Sequence, residues 1–158
     1  MIAFVYKLFI GILLATTLGM GIAAFYPAPT APEYPQSEYI SKPEAGTPQN
    51  NEKIGEFERE SKAYDTQRKR YDRDVAVAAV ALSLVTLVIS LTVLVRFDVI
   101  ADGIVLGSML TLLYGIIRSF GSGEEKFIFL TTLAGFTTVL ILGYINFVRP
   151  AAKLKSKG

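Results

Sequence analysis

The sequence contains no cysteine, no histidine and no tryptophan. Thiol nucleophiles, disulfides, imidazole acid–base catalysis, and thiolate or imidazole ligation of metal and haem are therefore excluded. Tryptophan often anchors membrane proteins at the interface, and here that role falls to tyrosine and phenylalanine. Composition alone thus removes many of the chemistries by which a small enzyme is recognised.

Charge is also scarce, because only 19% of the residues are charged whereas roughly 25% is usual in a soluble domain. Hydrophobic residues make up 51% of the chain, and the mean hydropathy is +0.41. The net charge of +2 is small and the basic residues are interspersed with acidic ones, so no nucleic-acid partner is expected. We predict an all-α integral membrane protein without room for a soluble catalytic domain.

Four long apolar runs come close to the roughly 20 residues that a helix needs to cross the hydrocarbon core. They predict transmembrane helices over residues 2–26, 75–95, 99–120 and 125–148. The first run has an alternative interpretation as a signal peptide, because small residues near its end are typical of a cleavage site. Its apolar part is long for that role, so we favour a retained first span.

Between the first two spans the composition changes twice. Residues 27–49 hold six of the seven prolines and are predicted to run as an extended strap, largely polyproline II. Residues 50–74 instead place Phe57, Tyr64 and Tyr71 seven apart, which gives a heptad-like seam on a charged helix. No proline separates this helix from the second span, so helix 2 is predicted to extend beyond the bilayer.

An isolated charged helix of this length is marginally stable in water, so its seam is expected to need a partner. That partner is either another chain or the strap itself. The strap, in turn, is either a spacer over the protein's own loops or a docking element. The predicted partner-contact residues are Tyr34, Tyr39, Phe57, Tyr64 and Tyr71.

Small residues recur at helical spacing on three of the spans, so the members of each set share one face. In a bilayer such a face lets another helix backbone approach closely, although glycine is common in membrane helices in any case. The third span carries the most regular set and is predicted to be the packing centre of the chain. The predicted helix-packing residues are Gly11, Ala15, Gly19, Gly103, Gly107, Thr111, Gly115, Gly135 and Gly143.

Charged side chains stand where the predicted spans begin and end. Asp98 or Asp102 is predicted to cap the third helix, with an ion or proton site as the alternative. Arg118 is predicted to anchor the opposite interface, and Ser122 with Glu125 has the spacing of a capping box. The predicted membrane-interface residues are Lys7, Arg68, Lys69, Arg70, Arg73, Asp102 and Arg118.

An even number of spans puts both termini on the same side of the membrane. That side carries six basic and two acidic residues, and the opposite side carries ten basic and twelve acidic ones. The basic residues at 68–73 oppose this bias, because they lie close to the second span. We predict that both termini are cytoplasmic, with the strap and the charged helix outside and a basic tail at 149–158.

Three segments carry a resemblance to a known family: FYPAPTAPEYP after the first span, the charged helix with its tyrosines, and ADGIVLGSMLTLLYGIIRSF. Together they resemble a family of small, uncharacterised bacterial membrane proteins with four spans and a Pro-rich first loop. The resemblance implies a setting in the bacterial inner membrane, and it implies no activity.

These features predict a non-catalytic accessory or assembly subunit of a larger membrane complex, with other membrane subunits and the lipid bilayer as partners. The alternative is a homo-oligomeric channel or small transporter with Asp98 or Asp102 near a pore mouth. No catalytic, metal or cofactor site is evident in the sequence. Lipid, pigment or quinone held by packing alone would leave no motif.

Overall fold

The computed structural model describes residues 1–32, 48–94 and 97–145. Over these ranges the chain forms four α-helices and no strand: α1 Ile2–Phe25, α2 Pro48–Thr92, α3 Asp98–Gly121 and α4 Glu125–Gly143. Each of the four contains a segment long and apolar enough to cross a membrane. The predicted fold class, an all-α four-helix integral membrane protein, is confirmed.

The first residues of the predicted strap, 27–32, leave α1 without forming helix or strand. The rest of the strap, including Tyr34 and Tyr39, lies outside the described residues, and so does the predicted tail at 149–158. The predictions that concern these segments therefore stay predictions.

A single helix of 45 residues, α2, joins the predicted charged segment to the second predicted span. Pro48 stands at its first position, where a missing N–H costs nothing, and no later proline interrupts it. At about 1.5 Å per residue α2 is about 67 Å long, roughly twice the hydrocarbon thickness of about 30 Å. About half of α2 must therefore extend beyond the hydrocarbon core.

The central helix is α3, which contacts each of the other three. Its contacts with α2 and α1 are extensive and those with α4 are fewer, while α1 and α2 meet over a short stretch. Tyr26 contacts Asp74 and Arg118 contacts Asp72 at one end of the bundle, which we call the Arg118 end. Lys7 contacts Asp102 at the other, the Asp102 end. Hence α1 and α3 run parallel to each other and antiparallel to α2.

Large apolar side chains cover the outer surfaces of α1 and α4. Phe4, Phe9, Phe129 and Phe136 are each at least 60% exposed in the isolated chain. Soluble proteins rarely expose contiguous apolar surface on this scale. A lipid bilayer is the solvent that such a surface requires, which agrees with the four candidate spans.

The contact between α1 and α3 depends on glycine. A Cβ added at Gly103 would lie 2.9 Å from Ile10 Cβ, and one at Gly107 would lie 2.8 Å from the carbonyl oxygen of Gly11. A Cβ at Gly11 would lie 3.0 Å from the Leu106 side chain. Real side chains do not approach this closely, so any larger residue would push the two backbones apart. Glycine therefore sets the separation of α1 and α3.

The regular small-residue set of α3 does not face a single partner. Gly103 and Gly107 face α1, whereas a Cβ at Gly115 would lie 3.0 Å from Val80 of α2. Between them Thr111 is buried, and its hydroxyl donates to the Gly107 carbonyl oxygen. Residues four apart on a helix advance by about 40° around its axis, since one turn takes about 3.6 residues. Over twelve residues the set therefore rotates by about 120°, from α1 to α2.

The remaining predicted packing residues differ in their surroundings. A Cβ at Gly135 of α4 would lie 2.7 Å from Ile116 Cδ1 of α3, and Ala15 is half-buried. At Gly19 and Gly143, by contrast, an added Cβ would meet no atom within 4 Å. Within the described residues these two glycines make no close helix contact. The small residues of α1 and of α4 rotate around their helices, so Gly19 and Gly143 no longer face α3.

Candidate functional site

Charged and aromatic side chains of α2 and α3 meet the end of α1 and the start of α4 at the Arg118 end. At their centre Arg118 Nη1 lies 2.6 Å from Asp72 Oδ1. Asp72 is only 4% exposed, and the Arg118 side chain is 29% exposed. Burial of a carboxylate is costly unless the charge is paired, so Asp72 depends on Arg118. The cluster, which we call the boundary cluster, consists of Tyr26, Tyr71, Asp72, Arg73, Asp74, Arg118 and Glu124.

Arg118 makes a contact that the sequence analysis did not predict. Its guanidinium pairs with a carboxylate of the same chain, and the predicted role as an anchor at the membrane interface stays a prediction. The last turn of α3 is shaped around that carboxylate, because a Cβ at Gly121 would overlap Asp72. Ser119 and Ser122 in the same turn are buried, and their hydroxyls donate to carbonyl oxygens near the end of α3. Those hydroxyls therefore find buried acceptors within their own helix turn.

The tyrosines of the cluster cover the ion pair from one side. The rings of Tyr71 and Tyr26 are stacked, with centroids 5.3 Å apart and planes inclined by 3°. Arg118 Cζ lies 5.2 Å from the centre of the Tyr71 ring, which is within the range of a cation–π interaction. Tyr71 is 7% exposed and packs with Ile22 and Val75 in the apolar core.

The prediction of Tyr71 as a contact for a partner is thereby corrected. The heptad-like seam of α2 changes its surroundings where the helix enters the bundle, because α1 and α3 cover its last aromatic residue. Tyr64 and Phe57, one and two heptads earlier, are half-buried. At Tyr71 the seam therefore packs into the protein's own core. Its earlier residues, Phe57 and Tyr64, lie on the part of α2 that projects from the bundle.

Two further contacts tie α1 and α4 to α2 in the cluster. The Tyr26 hydroxyl donates to Asp74 Oδ2 at 2.9 Å, and this bond raises the pKa of Tyr26 above its ordinary value. Arg73 Nη1 lies 3.4 Å from Glu124 Oε1, and its Nε lies 3.8 Å from Asp74 Oδ1. Partly exposed pairs of this kind contribute little to stability. They set the positions of the ends of α1 and α4 relative to α2.

The predicted capping box at the start of α4 is not formed. Glu124, not Ser122, is the N-cap residue, and no side chain makes a capping hydrogen bond there. The Ser122 hydroxyl instead accepts from the backbone N–H of Glu124 at 3.3 Å and donates to α3. Gly123 adopts a φ of +67°, which favours glycine, and this turn places Ser122 at the end of α3.

Of the other predicted interface residues, Arg68, Lys69 and Arg70 are exposed on α2 just before the boundary cluster. The Lys69 stem passes over the α3–α4 turn, since a Cβ at Gly123 would lie 3.5 Å from its Cε. These cations surround the point where α2 leaves the bundle. Their position agrees with an interfacial role, for which lipid phosphate would be the partner.

The Asp102 end holds a second ion pair. Lys7 Nζ lies 2.5 Å from Asp102 Oδ2, with the two side chains 32% and 59% exposed. The N-cap of α3 is Phe97, and no side chain caps it. The prediction that Asp102 caps the helix is therefore corrected: it lies one turn inside α3, opposite Lys7 of the parallel α1. The Asp98 side chain lies outside the described residues.

Hydroxyl groups also line the contact between α2, α3 and α4 in the middle of the bundle. Ser83, Ser108 and Thr138 meet there, and each donates to a carbonyl oxygen of its own helix. The space that these side chains enclose has no room for a water molecule. Back-bonded hydroxyls in a dry contact serve helix packing and offer no path for water.

No protein-family model, curated protein or solved structure matches the chain. The resemblance to a family of bacterial membrane proteins therefore stays a prediction, and function has to be argued from geometry. Within the described ranges no three acidic side chains converge on a possible metal position. The boundary cluster is best suited to fixing α2 at the point where it projects from the bundle.

Proposed function

We propose that the protein is a non-catalytic accessory or assembly subunit of a larger membrane protein complex. The observation that carries the proposal is the length of α2 beyond the boundary cluster. From Tyr71 back to Pro48 the helix continues without a break for about 35 Å, at about 1.5 Å per residue. The cluster holds the base of this projection by contacts to α1, α3 and the start of α4. The projection therefore leaves the bundle in a defined direction.

The surface of the projection supports contact with another helix. No described side chain between Gly55 and Arg70 is buried, and Ser61 and Tyr64 on the seam are half-buried. A helix of this composition gains little from its own propensity and is stabilised mainly by packing. Heptad spacing is the pattern with which helices pack side by side. A helix of another subunit along Tyr64 is the partner that this pattern favours.

We place the protein in the bacterial inner membrane, with both termini in the cytoplasm and the projection outside. The start of α1 and the end of α4 lie at the same end of the bundle, which supports termini on one side. The excess of basic residues that the sequence assigns to the side of the termini supports a cytoplasmic side. The bacterial setting is supported by the sequence resemblance alone.

The interior of the bundle favours assembly over transport. The contact among α2, α3 and α4 is closed to water, and Asp102 is paired with Lys7. A pore between copies of the chain would have to use the outer faces of the helices, whose exposed side chains in the described spans are mostly large and apolar. Such faces suit lipid or the apolar face of another membrane helix.

Photo-cross-linking from α2 tests the proposal. A photoreactive phenylalanine derivative at Tyr64 is expected to link the protein to a different membrane protein in intact cells. The matched control is the same derivative at Thr66, which lies about 160° away on the helix and is exposed. Linkage at both positions alike, to the same chain only, or at neither would contradict an assembly role for the seam.

A further inference from the structure

An apolar groove lies between α1 and α2, and it runs from the boundary cluster toward the middle of the bundle. It has a volume of about 460 Å³ and opens to the outside of the bundle. Its walls include Leu18 and Gly21 of α1 and Ala78 and Leu82 of α2. The groove exists because α1 packs mainly on α3 and because small residues line it. A Cβ at Gly21 would meet no atom within 4 Å.

One end of the groove is polar. Tyr26 and Asp74 line it there, and the Tyr26 hydroxyl occupies one position on the Asp74 carboxylate. The Asp74 side chain is still 48% exposed, so the carboxylate can accept further hydrogen bonds. Arg73 places a guanidinium nitrogen 3.8 Å from the same carboxylate. Arg73 does not itself line the groove and also contacts Glu124, but it places a positive group beside the carboxylate with which the groove ends.

The length of the groove and the charges at its end together decide which occupant suits it. From Asp74 to Leu82 it extends about 12 Å along α2, at about 1.5 Å per residue. An acyl chain can lie along this narrow apolar strip, which is open on one side. The charges at its polar end complement a zwitterionic headgroup, which favours a phospholipid over the apolar face of another membrane helix.

We propose that the groove binds a phospholipid whose headgroup carries a primary amine, as in phosphatidylethanolamine. The acyl chain lies along Ala78 and Leu82, and the ammonium donates to Asp74. Two carbons separate the ammonium from the phosphate in this headgroup, so the phosphate lies within reach of the Arg73 guanidinium. A choline headgroup has no N–H to donate, and a glycerol headgroup has no cation. The site therefore selects by charge-assisted hydrogen bonds. It is independent of the assembly role.

Native mass spectrometry of the full chain in mild detergent tests this site. Phosphatidylethanolamine, phosphatidylcholine and phosphatidylglycerol with identical acyl chains are added at equal concentration. Wild type is expected to bind the ethanolamine lipid about tenfold more tightly than the other two, which corresponds to one charge-assisted hydrogen bond. Asp74→Asn should abolish that preference. Asp65→Asn, which changes an exposed carboxylate of α2 outside the groove, should retain it.

A second pair of variants tests the apolar part of the groove. Gly21→Leu fills it and should weaken binding of the ethanolamine lipid about fivefold or more. Gly19→Leu adds the same side chain to an open position that does not line the groove, and should bind as wild type. Melting curves by circular dichroism verify that each variant is folded. If Asp74→Asn unfolds the chain, the comparison of Gly21→Leu with Gly19→Leu decides whether the groove binds the lipid. Equal binding of all three lipids, a preference that survives Asp74→Asn, or protein in place of lipid would overturn the proposal.

Discussion

Arg118 and Asp72 are 46 residues apart in the sequence, yet they form an ion pair of 2.6 Å across the contact between α3 and α2. The pair closes the α2–α3 hairpin at the end remote from its turn. Near the turn, the Ser90 hydroxyl donates to the Ala101 carbonyl oxygen at 2.9 Å. The two helices are thus held in register at both ends, and the projecting part of α2 begins directly at the ion pair.

Removal of the Arg118 charge is expected to destabilise the bundle strongly. Arg118→Leu leaves the buried Asp72 carboxylate unpaired, and we expect the free energy of unfolding to fall by about 3 kcal/mol. Reversible unfolding from detergent micelles by dodecyl sulfate, followed by circular dichroism, measures this loss. The double variant Asp72→Asn with Arg118→Leu should recover most of it, because no buried charge remains. A loss below about 0.5 kcal/mol in the single variant is the ordinary value for an exposed side chain and would contradict the pairing.

The sequence contained the information for this pair, although the prediction for Arg118 missed it. In an antiparallel hairpin, residues equally distant from the turn lie opposite each other, and Asp72 and Arg118 are both 23 residues from position 95. Apolar runs and their lengths predicted the spans, because a bilayer imposes a minimum length. Side-chain partners depend on how the helices rotate about their axes, which hydrophobicity does not determine. The ends of the spans were consequently predicted better than the roles of the charges there.

Close packing of α1 on α3 is tested at Gly107. A leucine there would force its Cβ against the carbonyl oxygen of Gly11, so Gly107→Leu is expected to lower the free energy of unfolding by about 2 kcal/mol. The control is Gly19→Leu, whose Cβ enters open space on α1 and should change stability by less than about 0.5 kcal/mol. Equal stability of the two variants would mean that glycine does not set the α1–α3 distance.

The spacing of glycines predicted that α3 packs closely, but it did not predict on which helix. Gly103 and Gly107 face α1 whereas Gly115 faces α2, because residues four apart rotate steadily around the helix. The same rotation carries Gly19 out of contact. A small-residue pattern therefore identifies positions where a close helix contact can form. Which of these positions form one depends on the angle at which the helices cross.

Ionisation of Tyr26 should depend on Asp74. The hydrogen bond raises the pKa of the phenol above its ordinary value of 10.0, because the protonated form is the donor. Its contribution to stability is therefore present below the unfolded-state pKa and is lost as pH rises through the folded-state value. The phenolate absorbance of wild type minus that of Tyr26→Phe measures this single titration among eight tyrosines. Asp74→Leu should shift it to lower pH, and an unchanged midpoint would show that the bond is not formed.

Orientation in the membrane is tested with single cysteines, for which a chain without native cysteine gives a clean background. Gly55→Cys on the projection should react with a membrane-impermeant maleimide added to intact cells, because we place that end outside. Phe97→Cys, at an exposed residue directly before α3 at the opposite end, should react only after permeabilisation. The reverse pattern would place the termini outside and the projection in the cytoplasm.

Assembly into a larger complex is tested most directly by native electrophoresis of gently solubilised membranes, followed by mass spectrometry of the band that contains the protein. We expect the chain to migrate well above the mass of a single protomer, together with at least one other membrane protein in constant ratio. Tyr64→Ala, which removes a side chain of the seam, should release the protein from that band. Thr66→Ala, at an exposed position off the seam, should leave the protein in it. Migration as a lone protomer, or as copies of this chain alone, would contradict a role as an assembly subunit.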